Sequence, residues 1–275
     1  MRSEDWFTTA DNTRLRSFTW SAAAPKRARL LIVHGLGENA ARYGPIAEIF
    51  AAAGIKVMAY DHRGHGESAG KRGDLNPPSL LNRDLAEILN RAAKDPTPLF
   101  LWGHSTGAQL IINTLSTNTF HLRGVILTAP WFRLALTPPK RKQIAASLLL
   151  RFAPGITLTS GVDPADLSRD VEYLRMLPAN DRNHNRISAR VYDYLVRGGR
   201  LAQSQAKNWT IPLLLAHGTA DTVTIIGASQ EFFQNVPDSI DKTFESFPDG
   251  RHELQNDLCR DRLATLIMNW ITHRS

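Results

Sequence analysis

The sequence predicts an α/β protein with a mostly parallel central sheet and helices on both of its faces. Short apolar runs alternate with segments of helical spacing along most of the 275 residues, a pattern typical of strand–helix–strand units. The rhythm stops between residues 131 and 208, where prolines separate short helical pieces and we predict no strand. We therefore predict a core, residues 1–130 and 209–275, interrupted by an inserted helical cap, residues 131–208, named the cap segment.

The N-terminal part predicts an antiparallel pair of strands and then a buried strand. Residues 7–20 contain two short alternating stretches around a turn at residues 11–12. Residues 29–34 are apolar and rich in β-branched side chains, as in a strand that is buried on both faces. Apolar residues at 46, 49 and 50 then have helical spacing, and Gly54 is a typical stop signal for that helix.

Further strands and helices continue the alternation up to the cap segment. Residues 55–60 predict a strand, and a helix follows Pro77-Pro78 with its leucines on one face. Residues 99–110 predict a strand, a tight turn and a helix, and residues 122–128 predict the next strand. Together these segments give the consecutive strand–helix units that a parallel sheet requires.

The same alternation resumes after the cap segment. Residues 211–217 predict a strand, residues 225–235 a helix and residues 242–247 another strand. The last predicted helix places four apolar residues on one face, namely Leu263, Leu266, Ile267 and Trp270. The two separated parts of the chain therefore have the pattern of one continuous α/β core.

The composition is that of a globular chain that can bury a sizeable core. Hydrophobic residues make up 43% of the sequence and charged residues 21%, so we do not expect global disorder. Cys259 is the single cysteine, which rules out an intrachain disulfide and fits a reducing compartment. We find neither a signal-peptide pattern nor an apolar run that could span a membrane, and we expect a cytoplasmic protein.

The net charge of +7 is concentrated in the cap segment. Residues 131–208 hold 13 Lys and Arg against 6 Asp and Glu, and the rest of the chain holds 20 of each kind. A basic segment on a neutral core indicates an anionic partner surface for that segment, such as a membrane or a substrate. The sequence has no nucleic-acid-binding motif, so we do not expect nucleic acid as a partner.

The segment from Leu99 to Leu110 contains the motif Gly103-His104-Ser105-Thr106-Gly107 between a predicted strand and a predicted helix. A strand–turn–helix context is what distinguishes a nucleophile elbow from a chance Gly-x-Ser-x-Gly match. The backbone must reverse sharply at Ser105 to expose its hydroxyl, and small residues two positions away on either side avoid a clash. The following helix also directs its free N–H groups toward negative charge that develops at the serine. Ser105 is therefore the candidate nucleophile.

A serine nucleophile needs a base, and the base needs an acid that orients it. Asp221 and His252 each follow a predicted strand and stand in the chain order Ser, Asp, His that this kind of elbow requires. Loops after parallel strands meet at one edge of the sheet, where ligands bind. We predict the triad Ser105, Asp221 and His252, and Asp249 is an alternative acid because it lies close to His252 in sequence.

Acyl transfer also requires hydrogen-bond donors for the tetrahedral oxyanion. One donor is the backbone N–H that follows the nucleophile, which is that of Thr106. The second comes from a loop after an earlier strand, and we assign it to Leu36 in His34-Gly35-Leu36-Gly37.

The remaining candidates are interpreted as structural. His62 and His65 lie near Asp61, but a third ligand at a suitable spacing is missing, so we predict no metal site. Cys259 packs in or near the last helix and has no catalytic partner in the sequence. Three further histidines are interpreted as an anchor of the glycine-rich loop or as buried, hydrogen-bonded supports: His34, His104 and His217.

The motifs resemble those of the monoacylglycerol lipase and lysophospholipase group of α/β-hydrolases. They are His-Gly-Leu-Gly-Glu at 34–38, Arg-Tyr at 42–43, Tyr-Asp-His-Arg-Gly-His-Gly-Glu-Ser at 60–68, Gly-His-Ser-Thr-Gly at 103–107 and Gly-Thr-Ala-Asp at 218–221. The resemblance covers nearly the whole chain. It implies an α/β-hydrolase fold and a serine esterase for single-acyl lipids, with a helical cap over an acyl pocket and no cofactor. It also carries over the same five site residues: Ser105, Asp221 and His252 as the triad, with Leu36 and Thr106 as oxyanion donors.

Two residues depart from the pattern of this group. Ala108 replaces a second glycine, which we expect to be harmless, and Thr106 replaces a larger side chain, which leaves the shape of the acyl pocket open. Other serine acyl hydrolases of the same fold stay as alternatives, namely a thioesterase, a lactonase, a carboxylesterase or an iminopeptidase. A hydrolase-fold ligand sensor is a further alternative from another functional class.

The cap segment contains a candidate membrane-binding helix. Lys140-Arg141-Lys142 precede four apolar residues that share one helical face, namely Ile144, Leu148, Leu149 and Phe152. A basic amphipathic helix of this kind is suited to an anionic lipid surface. The alternative interpretation is a solvated run of charges. We expect peripheral contact with anionic membranes through this helix.

Overall fold

The computed structural model describes residues 1–23, 27–135 and 140–275. Its strands are β1 (Arg2–Thr8), β2 (Arg14–Trp20), β3 (Ala28–Val33), β4 (Ile55–Tyr60), β5 (Leu99–His104), β6 (Gly124–Thr128), β7 (Thr157–Thr159), β8 (Arg186–Ser188), β9 (Leu213–Gly218) and β10 (Lys242–Phe247). Eight of these strands form one sheet in the order β1-β2-β4-β3-β5-β6-β9-β10. β1 and β2 pair antiparallel to their neighbours, and the other strands of this sheet run parallel. The predicted mostly parallel sheet is therefore confirmed.

Helices cover both faces of this sheet, and the described ranges contain eight α-helices in all. They are α1 (Gly44–Ala52), α2 (Leu80–Ala92), α3 (Thr106–Leu115), α4 (Lys140–Phe152), α5 (Val171–Met176), α6 (Ala189–Ser204), α7 (Ile226–Asn235) and α8 (Arg260–Thr272). One apolar core contains buried side chains of α1 and α8, and a second core on the opposite face contains those of α2, α3 and α7. This arrangement gives the layers of an α/β protein.

Strand residues alternate between the two cores because successive side chains of a strand point to opposite faces. In β3, Leu30 and Ile32 belong to the core of α1 and α8, and Leu31 and Val33 belong to the core of α2, α3 and α7. All four side chains are almost completely buried. Burial of one such side chain stabilises the fold by roughly 2 kcal/mol, so the continuous apolar run of β3 fixes the strand between two helical layers.

The first strand begins earlier than the sequence pattern predicts. β1 covers Arg2–Thr8, and its first residues alternate little because most of their side chains are exposed at the edge of the sheet. Its register pairs Trp6 with Arg16 and Phe7 with Leu15. The strand is therefore defined by its backbone pairing with β2 rather than by a buried face.

The cap segment contains α4, α5 and α6, and also a small sheet that the sequence analysis does not predict. β7 and β8 pair antiparallel, with Leu158 opposite Ile187. Each strand has only three residues, which is too short for an alternating pattern to be recognised. A third apolar cluster joins Trp131, Ile187, Val191 and Leu195. The division of the chain into a core and a cap stays a prediction.

The structure describes only part of the basic run Lys140-Arg141-Lys142. The side chains of Lys140 and Lys142 lie outside the described residues, as do Pro138 and Pro139, whereas Arg141 is exposed on α4. Within residues 1–23, 27–135 and 140–275, we find no helix that has both the length and the apolar character needed to cross a bilayer.

Candidate active site

The turn at Ser105 connects β5 directly to α3. Ser105 has φ 53° and ψ −116°, a conformation that L-residues rarely adopt. Its backbone N–H donates to Thr128 O in the neighbouring strand at 2.9 Å, which holds the turn. A Cβ on Gly107 would lie 1.9 Å from Val33 O, so only glycine fits where α3 passes over β3. The close approach of helix and strand therefore explains the glycine, and the turn presents the serine hydroxyl at the carboxyl end of the sheet.

The three predicted triad residues lie in one hydrogen-bonded line. His252 Nε2 is 3.0 Å from Ser105 Oγ, and His252 Nδ1 is 2.8 Å from Asp221 Oδ2. Asp221 follows β9 and His252 follows β10, so the carboxyl ends of neighbouring parallel strands bring them together. The alternative acid, Asp249, has an exposed side chain, and its backbone N–H is held by Thr219 Oγ1. The structure thus brings Asp221 rather than Asp249 to His252.

The acid and the base stabilise each other's charged forms. Burial opposes charge on Asp221, but the imidazoles of His252 and His217 hold the pKa of this carboxyl well below its usual range. Burial also opposes charge on His252, but Asp221 raises the pKa of His252 above 6.5. The arrangement suits a general base whose protonated form is stabilised during the reaction.

The loop of residues 34–39, which we name the oxyanion loop, passes directly beside the serine. A Cβ added to Gly35 would lie 3.3 Å from Ser105 Cβ. Leu36 in this loop and Ser105 line the same cavity, and Thr106 is the first residue of α3. Both predicted oxyanion donors therefore belong to segments that adjoin Ser105.

The oxyanion loop is tied to the cap segment as well as to the core. His184 N donates to Gly37 O at 3.0 Å, and Asn39 Nδ2 donates to Asn183 Oδ1 at 2.8 Å. On the core side, His62 Nε2 donates to His34 O at 2.9 Å. The loop is thereby fixed from both sides.

A buried polar network beside the triad was not assigned from the sequence. Arg42 contacts the carboxylate of Glu253 and the hydroxyl of Tyr173, and Tyr173 donates to Glu253 Oε2 at 2.7 Å. Glu38 Oε1 lies 3.5 Å from His104 Nε2. Glu38, Arg42 and Glu253 occur in or next to the motifs at 34–38, 42–43 and 252, so their positions were visible in the sequence, but their contacts were not.

The charges in this network differ between the two carboxyl groups. Burial, and then the neighbouring Glu253, raise the pKa of Glu38. Burial also acts on Glu253, but Arg42 outweighs it and lowers the pKa of Glu253. The network therefore holds one firmly ionised carboxylate, one guanidinium, and one carboxyl group that accepts a proton more readily than a surface glutamate.

A cavity of about 440 Å³ opens above Ser105 and His252. Its volume is in the range of pockets that bind small molecules. Apolar side chains of the cap segment contribute to its lining, among them Trp131, Leu134, Val162, Leu177 and Ile187. Polar lining residues include Glu38, Arg42, Glu253, Asn180 and Asn183. The cavity thus offers both apolar surface and a polar region next to the nucleophile.

The other histidines and the cysteine have structural contacts. His34 Nδ1 is 2.7 Å from Gly35 O, and His62 N donates to His34 Nε2 at 3.0 Å. Burial raises the pKa of Cys259 to about 11, so its thiol is not activated. Among residues 1–23, 27–135 and 140–275, no group of three or more potential ligands is arranged to hold a metal ion.

Comparison with known proteins places this geometry in a family. The family model Hydrolase_4, described as serine aminopeptidase, S33, matches residues 24–258. A monoacylglycerol lipase of Mycolicibacterium smegmatis is 29% identical over 273 residues, which cover 98% of this chain and 97% of that lipase. The crystal structure of Paleococcus ferrophilus monoacylglycerol lipase has a TM-score of 0.85 at 29% identity, covering 95% of this chain and 99% of that chain.

A further relative is an uncharacterised abhydrolase domain-containing protein of Dictyostelium discoideum. It is 33% identical over 269 residues, which are 97% of this chain and 28% of that protein. This chain therefore spans about a quarter of the Dictyostelium relative but nearly all of the Mycolicibacterium lipase. Since the family model matches most of the chain, and the sheet and its helices are shared with a solved relative, the chain belongs to the Hydrolase_4 family and is a serine hydrolase of the α/β-hydrolase fold.

Proposed function

We propose that this protein hydrolyses monoacylglycerols to a fatty acid and glycerol through an acyl-enzyme on Ser105. The observation that carries the proposal is the hydrogen-bonded line from Ser105 through His252 to Asp221, which borders a cavity with apolar and polar lining. The similarity to proteins named monoacylglycerol lipase, over nearly their whole length, supports the substrate class.

Acylation begins when Ser105 Oγ attacks the ester carbonyl carbon and His252 Nε2 takes the hydroxyl proton. Asp221 stabilises the imidazolium that forms. The tetrahedral intermediate then collapses with cleavage of the bond between the carbonyl carbon and the glycerol oxygen. His252 gives its proton to that oxygen, and glycerol leaves. The N–H groups of Leu36 and Thr106 are the proposed donors to the oxyanion.

Deacylation uses the same groups with water in place of glycerol. His252 takes a proton from the water, and the water oxygen attacks the acyl carbon. The bond between this carbon and Ser105 Oγ breaks, the proton returns to Oγ, and the fatty acid leaves. The reaction therefore consumes one water and needs no further reactant.

The charge of the polar region favours a neutral head group over a phosphodiester. Glu38 and Glu253 contribute two carboxyl groups against the single guanidinium of Arg42, and this guanidinium is already engaged by Glu253 and Tyr173. Among the described residues that line the cavity, a phosphate placed here would face like charge without a free lysine or arginine. The hydroxyl groups of glycerol both donate and accept hydrogen bonds, which suits mixed carboxyl and amide partners.

A hydrolysis panel tests the proposal. It compares monoacylglycerols of graded chain length, the corresponding lysophosphatidylcholines and acyl thioesters, with Ser105→Ala as the control. We expect kcat/KM for monoacylglycerol to exceed that for lysophosphatidylcholine by about tenfold or more. A fluorophosphonate probe is expected to label the protein once, at Ser105.

Two results would overturn the proposal. One is equal labelling of Ser105→Ala and of the unchanged protein. The other is hydrolysis of thioesters or lysophosphatidylcholine in preference to monoacylglycerol. Slow single-turnover hydrolysis with a persistent adduct would instead favour a ligand sensor.

We also propose that the cap segment makes peripheral contact with anionic membranes. On α4, Ile144, Leu148 and Phe152 recur at four-residue spacing and are 62%, 54% and 74% exposed. Arg141 and Arg151 on the same helix are exposed as well. Exposed apolar residues on a basic helix fit insertion at the head-group boundary of a bilayer. Contact there would bring single-acyl lipids close to the cavity.

A further inference from the structure

The acid of the triad has a second histidine partner. His217, the penultimate residue of β9, is completely buried, and its Nε2 lies 3.0 Å from Asp221 Oδ2. Its other ring nitrogen, Nδ1, lies 2.9 Å from Ser229 Oγ on α7. Ser229 is also completely buried. Beyond the triad, a line of polar groups therefore continues from Asp221 through His217 to Ser229 in the interior of the protein.

The Asp221 carboxylate decides which nitrogen of His217 carries the proton, because it can only accept, whereas the Ser229 hydroxyl can donate or accept. A serine hydroxyl can donate to Nδ1, and the proton of a neutral imidazole then lies on Nε2. With the opposite tautomer, the lone pair of Nε2 would face the Asp221 carboxylate at 3.0 Å, which is electrostatically unfavourable. The geometry therefore selects the tautomer in which the proton of His217 lies on Nε2, 3.0 Å from Asp221 Oδ2.

The two oxygens of Asp221 have different partners. Oδ1 accepts the backbone N–H groups of Val223 and Thr224 at 2.7 and 3.0 Å. Oδ2 accepts the Thr224 hydroxyl at 2.8 Å and faces both His252 Nδ1 at 2.8 Å and His217 Nε2 at 3.0 Å. The oxygen that orients the catalytic base is therefore shared between two imidazoles.

We infer that His217, held by Ser229, is a positioning residue that shares Asp221 Oδ2 with His252 and tunes the basicity of the catalytic imidazole. This inference rests on the proposed function of the triad. The His217 N–H withdraws negative charge from Oδ2, so Asp221 stabilises the imidazolium of His252 less than an unshared carboxylate would. His252 is thereby kept closer to the neutral form that accepts the serine proton.

Other charged or titratable groups also face His252 and stay in place in the test. They come from three elements: Glu253 on its own loop, Glu38 on the oxyanion loop, and His104 of β5, whose ring lies 4.8 Å from that of His252. None of these groups contacts His217 in the described residues. A change at His217 therefore reaches His252 through Asp221.

Three variants test the inference, with p-nitrophenyl acetate as the substrate. His217→Leu removes the donor, and His217→Gln keeps an amide N–H near the position of Nε2. Ser229→Ala removes the hydroxyl that holds His217 Nδ1. For each variant, kcat, KM and the pH dependence of kcat/KM are measured, and the imidazole NMR signals of His252 are titrated.

We expect His217→Leu to lower kcat by about tenfold with little change in KM, which is a small part of the roughly 10⁴-fold loss seen when a triad acid is neutralised. In this variant, we expect the midpoint of the acid limb of the pH profile of kcat/KM to move upward by about half a pH unit. The pKa of His252 should move by the same amount, because Asp221 then acts on His252 alone. His217→Gln restores the rate and the pH midpoint. Ser229→Ala shifts the midpoint in the same direction by less.

A merely structural role would give another result. If His217 only held Asp221 in place, its loss would loosen Asp221 and weaken the attraction of the carboxylate for His252. A slower His217→Leu variant whose kcat/KM profile has an unchanged or lowered pH midpoint therefore overturns the inference. If His217→Leu does not fold, Ser229→Ala decides: an upward shift of the pH midpoint supports the inference, and an unchanged or lowered midpoint overturns it. Because p-nitrophenyl acetate requires no glycerol recognition, failure to cleave monoacylglycerol refutes the proposed substrate alone. The NMR titration still decides on His217.

Discussion

At the scale of single residues, the Asp221 carboxylate is the most extensively hydrogen-bonded part of the site. Its two oxygens accept two backbone N–H groups and one hydroxyl, in addition to the contact with His252. The imidazoles of His252 and His217 outweigh the effect of burial and hold the pKa of this carboxyl low. The negative charge that orients His252 is therefore preserved throughout the neutral and mildly acidic pH range.

Asp221→Asn is expected to reduce kcat by about 10⁴-fold, because the amide no longer favours the required tautomer of His252 or its protonated form. Asp249→Asn is the matched control, since Asp249 is exposed and lies in the same loop region as His252. It should keep most of the activity. Steady-state hydrolysis of a soluble ester measures both variants, and circular dichroism checks their fold. The reverse ranking in two folded proteins would contradict the assignment of Asp221.

Much of the site was predictable at this scale because its motifs are local. The elbow around Ser105 and the loops that carry Asp221 and His252 each lie within a few residues of a strand end. The contact between Arg42, Tyr173 and Glu253 joins residues far apart in sequence. Neither periodicity nor spacing carries a signal for such a contact, because it arises only when the cap segment meets the core.

At the scale of elements, the packing of α3 on β3 limits what the elbow can contain. Gly107→Ala would place a methyl group against Val33 O. We expect a loss of about 3 kcal/mol in the free energy of unfolding, because two backbone segments would have to move apart. Urea unfolding followed by tryptophan fluorescence measures the change.

Gly227→Ala provides the matched comparison for that experiment. Gly227 is also the second residue of a helix, but a Cβ there would meet only Ile225 Cγ2, at 3.6 Å. Alanine is expected to be neutral or to stabilise α7 by about 0.5–1 kcal/mol. Equal urea midpoints for the two variants would show that close packing against β3 does not restrict position 107 to glycine.

Membrane contact by α4 is tested with two variants that act on different properties. Ile144→Gln with Phe152→Gln removes exposed apolar area, and the triple change Lys140→Gln, Arg141→Gln, Lys142→Gln removes cations, each of which contributes about 1 kcal/mol near an anionic surface. Both are expected to reduce sedimentation with phosphatidylserine vesicles and to slow hydrolysis of vesicle-borne monoacylglycerol.

The control variant for this series is Leu258→Gln, which changes an apolar side chain that is 68% exposed outside the cap segment. It should bind vesicles like the unchanged protein. All variants should cleave a soluble short-chain ester at the same rate, since the triad is unchanged. Equal vesicle binding by all variants, or no binding by any of them at low salt, would contradict membrane contact. Lys140-Arg141-Lys142 would then be a solvated run of charges.

The elements of the core followed from the sequence far better than those of the cap segment. Strands such as β3 and β5 are continuous apolar runs because both of their faces are covered by helices. β7 and β8 are short, and only their mutual pairing defines them. That pairing joins residues 157–159 to residues 186–188, and no local pattern encodes a contact at this distance.

At the scale of the whole molecule, several buried histidines oppose folding in acid. Burial lowers the pKa of His62 to about 4, of His184 to about 4 and of His104 to about 3. His34 and His65 are shifted in the same direction. In the unfolded chain, histidine titrates near 6.5. As the pH falls from 6.5 toward 4, the unfolded chain therefore takes up protons that the folded protein does not.

We expect the free energy of unfolding to fall with pH in this window, by roughly 1 kcal/mol per pH unit for each such histidine. Four groups act in the opposite direction because their pKa values are raised on folding, namely Glu38, Asp61, Asp84 and His252, but they are fewer than the five histidines. Urea unfolding at pH 7.5 and pH 5 measures the change. His184→Gln should show a weaker pH dependence, and a protein that becomes more stable at pH 5 would contradict the expectation.

The bonds from Gly37 to His184 and from Asn39 to Asn183 make the oxyanion loop and the cap segment energetically dependent on each other. Such coupling is reciprocal. A position of the cap segment that favours the loop also favours binding of the oxyanion, and the oxyanion in turn favours that position. In the proposed mechanism, the tetrahedral intermediate would act as an effector of the cap segment, and the restraint that it imposes would end when the intermediate collapses.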